Sequence, residues 1–123
     1  MNSHTVLSAI MAAALALAAP VCAQSVHLDS ATLAPGAGVD VQVDVGLPAG
    51  VSTTLRFKLY RAGVLIGQTS AVSNMGGNNQ EFRVIFATPD DESAGVKAQA
   101  GDTVTAEIDP SNGPPIESNG DGI

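Results

Sequence analysis

The sequence has no tryptophan, a single cysteine and only four other aromatic residues among its 123. One cysteine cannot staple a chain to itself, so a small disulfide-held scaffold is excluded. Basic residues are also few: five Lys and Arg stand against twelve Asp and Glu, for a formal charge of −7. That balance excludes a basic nucleic-acid binder, and no nucleic-acid partner is expected. Histidine occurs only at His4 and His27. Long apolar runs are missing everywhere except at the N-terminus.

That one run, Val6 to Ala19, is rich in alanine and leucine and lies in a 23-residue segment without any Asp, Glu, Lys or Arg. It has the length of a signal-peptide core and ends in Pro20-Val21-Cys22-Ala23, where Val21 and Ala23 fit the small-residue rule for cleavage. A hydrocarbon core of about 30 Å takes about 20 apolar residues, which the run does not reach. Two other readings are a buried N-terminal helix and acylation at Cys22. The latter lacks the Leu at −3 and the small residue at −1 in Ala19-Pro20-Val21. Residues 1–23 therefore read as a signal peptide and 24–123 as one domain, exported to a periplasm or beyond the cell. After cleavage no stable membrane insertion is expected.

From Val39 the chain alternates with period two. Val39, Val41, Val43, Val45 and Leu47 fall on one side, and Asp40, Gln42 and Asp44 on the other. Leu55, Phe57 and Leu59 repeat the pattern against Arg56, Lys58 and Tyr60, and Arg61-Ala62-Gly63 supplies a hairpin turn before Val64–Gly67. Phe82, Val84 and Phe86 alternate with Glu81, Arg83 and Ile85. Val104, Ala106 and Ile108 alternate with Thr103, Thr105, Glu107 and Asp109. Val26 and Leu28 make a weaker fifth case. Turn-forming clusters separate these segments, at Ala34-Pro35-Gly36, Leu47–Gly50, Asn74–Asn79 and Thr88–Glu92. No segment has a helical period. The pattern predicts an all-β, immunoglobulin-like antiparallel sandwich of about seven strands. The Pro-, Gly-, Ser- and Asn-rich stretch from about residue 110 reads as a flexible tail.

With the strands placed, the chain resembles the CARDB family, bacterial immunoglobulin-like modules related to cell adhesion. Three places carry the likeness: Leu33-Ala34-Pro35-Gly36 ahead of the valine alternation; Leu55 through Gly67; and Gly101 through Asn112 with Glu117-Ser118-Asn119 after it. The family's Asn-x-Gly step after the valine strand is replaced here by Gly46-Leu47-Pro48-Ala49-Gly50. Its final paired asparagines are replaced by Gly120-Asp121-Gly122. The resemblance implies a binding or adhesion role, by analogy of fold.

Candidates for chemistry are sparse. No catalytic residue is expected, because His27 is the only histidine after residue 23, its face is left open, and Lys97 sits in a polar loop. Asp90-Asp91-Glu92 reads as a solvated turn. The segment Val26–Thr32 with Pro35-Gly36 resembles the opening of CopC-type copper proteins. That likeness implies an amino-terminal histidine and a distal Asp/His pair, and with one histidine a set of nitrogen ligands cannot be completed. Oxygen ligands are more plentiful: Asp109, Asn112 and Glu117 are the candidates for a weak extracellular-type calcium site, the one cofactor considered. For partner recognition, strand order puts Arg56, Lys58 and Tyr60 on one outer face, with Arg83 beside them if its strand pairs alongside. That face would suit a protein or glycan, with Tyr60 as the aromatic anchor. Cross-strand pairing of Arg56 or Lys58 with Glu81 or Glu107 is the competing role, stabilising by roughly 0.2–1 kcal/mol. The expected function is an exported, non-enzymatic binding module using a sheet face, its loops or the Val84-Ile85-Phe86 edge. The alternative is a small periplasmic cation-binding protein, for calcium or, less favoured, copper.

Overall fold

A computed structural model describes residues 24–36, 38–47, 53–73, 77–109 and 114–123. Residues 1–23, read above as a signal peptide and including Cys22, the turn-forming sequences at 48–50 and 74–76, and Asn112 lie outside the described residues. The described chain contains ten β-strands and no helix.

Two antiparallel sheets face each other. The smaller has the order β1 (Ser25–Leu33), β2 (Val39–Gly46), β5 (Gly77–Val84). The larger runs β10 (Asp121–Gly122), β8 (Thr103–Ile108), β3 (Thr53–Arg61), β4 (Val64–Ser73), β6 (Phe86–Thr88), β7 (Asp91–Val96), with β9 (Ile116–Glu117) also on β8. Strands one, two and five opposite strands eight, three and four is the order of an immunoglobulin-type sandwich. Ten strands stand where about seven were expected: β6 and β7 form a short hairpin, and the terminal segment contributes two short pieces, β9 and β10.

Period-two alternation builds the core from both layers. The small sheet contributes Val26, Leu28, Ala31, Val39, Val41, Val43, Val45 and Val84; the large one contributes Leu55, Phe57, Leu59, Phe86, Val104, Ala106 and Ile108, all buried. The phase slips once in β1, where a bulge between Leu28 and Ser30 inserts Asp29 as an extra residue. Without it, Ala31 would point to water; with it, Ser30 and Thr32 face outward and Ala31 enters the core.

The β3–β4 hairpin turns on Ala62 (φ 51°) and Gly63 (φ 78°), both left-handed, as a two-residue type I′ connection requires. Gly67 on β4 is needed for space, since a Cβ there would lie 3.0 Å from the Cβ of Phe86. Its absence lets the Phe86 ring reach the core where the chain crosses from the small sheet to the large one, between Val84 and Phe86. Ile85 at this step is 65% exposed.

Residues 114–123, read above as tail, are paired. β9 and β10 bond to β8, and Ile123 exchanges backbone hydrogen bonds with Gly101 and Asp102. The Asn119 side chain completes the closure: its amide oxygen accepts from Leu28 N and its Nδ2 donates to Leu28 O, both at 3.0 Å.

Candidate functional site

On the outer face of the large sheet, β3 presents Arg56, Lys58 and Tyr60, and β8 answers in register with Glu107 opposite Arg56. Arg56 Nε donates to Glu107 Oε1 at 2.8 Å, and its Nη2 reaches the same oxygen. Its two terminal nitrogens also bond both oxygens of Asp109 at 2.7 Å. Lys58 Nζ donates to Glu107 Oε2 at 2.9 Å. Tyr60 donates to Glu117 Oε1, which also accepts from Thr105 Oγ1. The basic residues are thus matched charge for charge by β8 and its flanks. Of the two carboxylates considered as cross-strand partners, Glu107 takes that role, while Glu81 accepts from Gln42 on the other sheet.

Burial pushes the Glu107 carboxyl up, but hydrogen bonds from Lys58 and Arg56 outweigh it and hold the group below the usual carboxylate range. Asp109 is lowered by its bonds from Arg56. The Lys58 ammonium is raised by its bond to Glu107, and the Tyr60 phenol is raised by burial and the nearby Glu117 charge.

Arg83 does not join this cluster. Its strand pairs with β2, not beside β3, which sets Arg83 on the outer face of the small sheet opposite Asp40. There the two form a bidentate ion pair, at 2.7 and 3.0 Å. Successive rungs across this face read Thr32, Asp40, Arg83 and then Ser30, Gln42, Glu81. Together they line an open groove of about 530 Å³.

The calcium candidates are engaged elsewhere: Asp109 by Arg56, and Glu117 by Tyr60 and Thr105. Of Asp90-Asp91-Glu92, read above as a solvated turn, only Asp90 lies in the turn; Asp91 and Glu92 begin β7, all three are exposed, and Asp91 is bonded to Ser93. His27 is exposed on the small sheet, with Nδ1 2.9 Å from Asp29 Oδ1 and Asp44 opposite it on β2. Sequence reading passed over this trio. The His-x-Asp spacing was visible, but only the β1–β2 register brings Asp44 to it. Asp102, seen before only as part of a motif, is 2% exposed. It accepts from Arg61 Nε and Nη2 and from Gln99 N, each at 2.9 Å.

These shifts fix the expected pH response. Asp102, Glu107 and Asp109 are all held below their ordinary values, so their pairing stabilises the fold above the unfolded-state pKa of about 4 and is lost as pH falls through the lower folded values. Lys58 and Tyr60 are raised, so their contributions hold below about pH 10 and are lost above it. The melting temperature is expected to be level between about pH 5 and 10 and to fall on acidification below about 4. A calorimetric series across pH 3–7 checks this; a melting temperature that rises toward the acid end contradicts it.

The described residues define a two-sheet antiparallel β-sandwich with an apolar core between its layers and most of its polar groups on the outer faces. Comparison with models of known families, with curated proteins and with solved structures finds no match.

Proposed function

We propose that this protein is an exported, non-enzymatic immunoglobulin-like binding module of the CARDB-like, adhesion-related kind. Its partner, a protein or glycan surface, docks on the outer face of the three-stranded sheet. The observation that carries this reading is the groove over Ser30, Thr32, Asp40, Gln42, Glu81 and Arg83, which arrays hydroxyl, amide, carboxylate and guanidinium groups on two adjacent rungs.

The contrast between the two faces supports the choice. Arg83 and Asp40 are 62% and 44% exposed in their side chains, so they can exchange one another for a partner's groups at small cost. Drawing Arg56 or Lys58 away from Glu107, 11% exposed in its side chain, would strip a largely buried carboxylate of its partners. The large-sheet face therefore holds its charges for the fold, and the small-sheet face can lend them.

The test is cross-linking capture from the native host, paired with a glycan array to separate the two partner classes. The Arg83→Ala/Gln42→Ala double variant is compared with Lys58→Gln on the opposite face. Loss of capture or of glycan signal in the first alone is expected. Equal capture by both, or loss only in Lys58→Gln, overturns the assignment to this face.

A further inference from the structure

Next to the groove, on the following outward rung of the same sheet, one side-chain cluster has a composition that partner recognition does not use. We infer that His27, Asp29 and Asp44 bind a single divalent transition-metal cation of the zinc class. One ligand-capable atom from each, an imidazole nitrogen and two carboxylate oxygens, all lie within 4.8 Å of one another. Sites of this class gather three such groups around one ion and leave a further position for water.

The sheet geometry explains the convergence. His27 and Asp44 are register partners across β1 and β2, so their side chains stand together on the outer face. Asp29 is the extra residue of the β1 bulge, and Nδ1 of His27 lies 2.9 Å from its Oδ1. Asp44 is held from the opposite side: Asn79, in a left-handed conformation (φ 56°), donates its backbone N–H to Asp44 Oδ1 at 2.7 Å. A carboxylate fixed by one such bond keeps lone pairs for a cation, and its orientation is set in advance.

Charge gives the second argument. Two aspartates on adjacent strands repel at this separation, and an acidic protein usually relieves such a pair with an arginine or lysine. Here Arg56, Arg61 and Arg83 are all ion-paired with other carboxylates, as is Lys58. Among the described residues, Asp29 forms its ion pair with His27, and neither Asp29 nor Asp44 forms one with an arginine or lysine. A bound cation would relieve the repulsion directly.

The donor set selects the kind of cation. Calcium takes six to eight oxygens, more than this trio offers, and imidazole is not among its ligands. A nitrogen with two carboxylates on an exposed face suits the borderline first-row ions, zinc among them.

The experiment titrates zinc alone into the tag-free chain by isothermal calorimetry and follows the His27 ring resonances by NMR. One equivalent is expected to bind, with the His27 ring signals shifting. Affinity should fall roughly ten-fold or more in His27→Gln and in Asp44→Asn and stay unchanged in Glu92→Gln, an exposed acid elsewhere. Because the NMR signal is read on the unaltered chain, a folding defect in a variant does not decide the outcome. Zinc in excess that leaves the His27 ring unmoved overturns the inference, as does binding that survives His27→Gln undiminished or calcium matching zinc at the same concentration.

Discussion

Replacing Phe57 with alanine is expected to cost about 3–5 kcal/mol of folding stability, the range for truncating a buried phenylalanine. Phe57 has no exposed surface and lies at the middle of β3, with β4 on one side and β8 on the other. Its ring reaches across the core to Phe82 of the small sheet, with centroids 5.7 Å apart and planes tilted by 52°. The substitution therefore opens a cavity at the contact between the layers, which neither sheet can close without moving its strands. Domains are typically stable by only about 5–15 kcal/mol, so the variant should sit near the edge of folding. Urea unfolding monitored by circular dichroism measures the effect. Phe57→Leu, which keeps most of the volume, should lose far less, and a loss as small in the alanine variant would mean the layers do not pack through this ring.

The second large effect is expected at Asp102. Its carboxylate accepts from Arg61 Nε and Nη2 and from the backbone N–H of Gln99, while its own backbone pairs with Gln99 and Ile123. One residue thereby ties the end of β3, the loop before β8 and the terminal segment together. Asp102→Ala leaves the Gln99 N–H without that partner and strands the Arg61 guanidinium. A fully buried pair broken this way costs about 3–5 kcal/mol, but Arg61 is 40% exposed in its side chain and regains water. A loss of roughly 2–3 kcal/mol is expected, with Asp102→Asn milder because it keeps the shape and one acceptor. Thermal denaturation of the two variants checks the order. If asparagine proves the worse substitution, the acceptor geometry described here is not what matters.

Strands were legible in the sequence wherever one face is buried against the other sheet, because burial writes apolar residues at every second position. β2, β3 and β8 are of this kind. β7 was not, since Asp91–Val96 is exposed or half-exposed throughout and is a strand only through its backbone pairing with β6. The outer face of β8 misled in the opposite direction. Thr105 and Glu107 look like solvent-facing positions, yet both are 9% exposed because the Arg56 and Lys58 side chains and the β9 segment cover them. Alternation reports which side of a strand faces the core and is silent on what neighbouring strands lay over its back. The same limit explains the candidate sites. Arg56, Lys58 and Tyr60 were correctly grouped because they share one strand. The condition on Arg83, that its strand pair alongside, is not met, and His27 with Asp44 was overlooked, because both depend on which strand lies next to which.

The Asn119 amide bonded to Leu28 has a bearing on how this molecule behaves in a crowd. At Leu28, where an incoming strand would have to find a free N–H and C=O on β1, it meets a side chain that already satisfies both. Chains that leave such groups bare invite copies of themselves to stack in register and grow into fibres. Here a single amide plugs that position, so the domain can reach high local density with one route to runaway polymerisation shut.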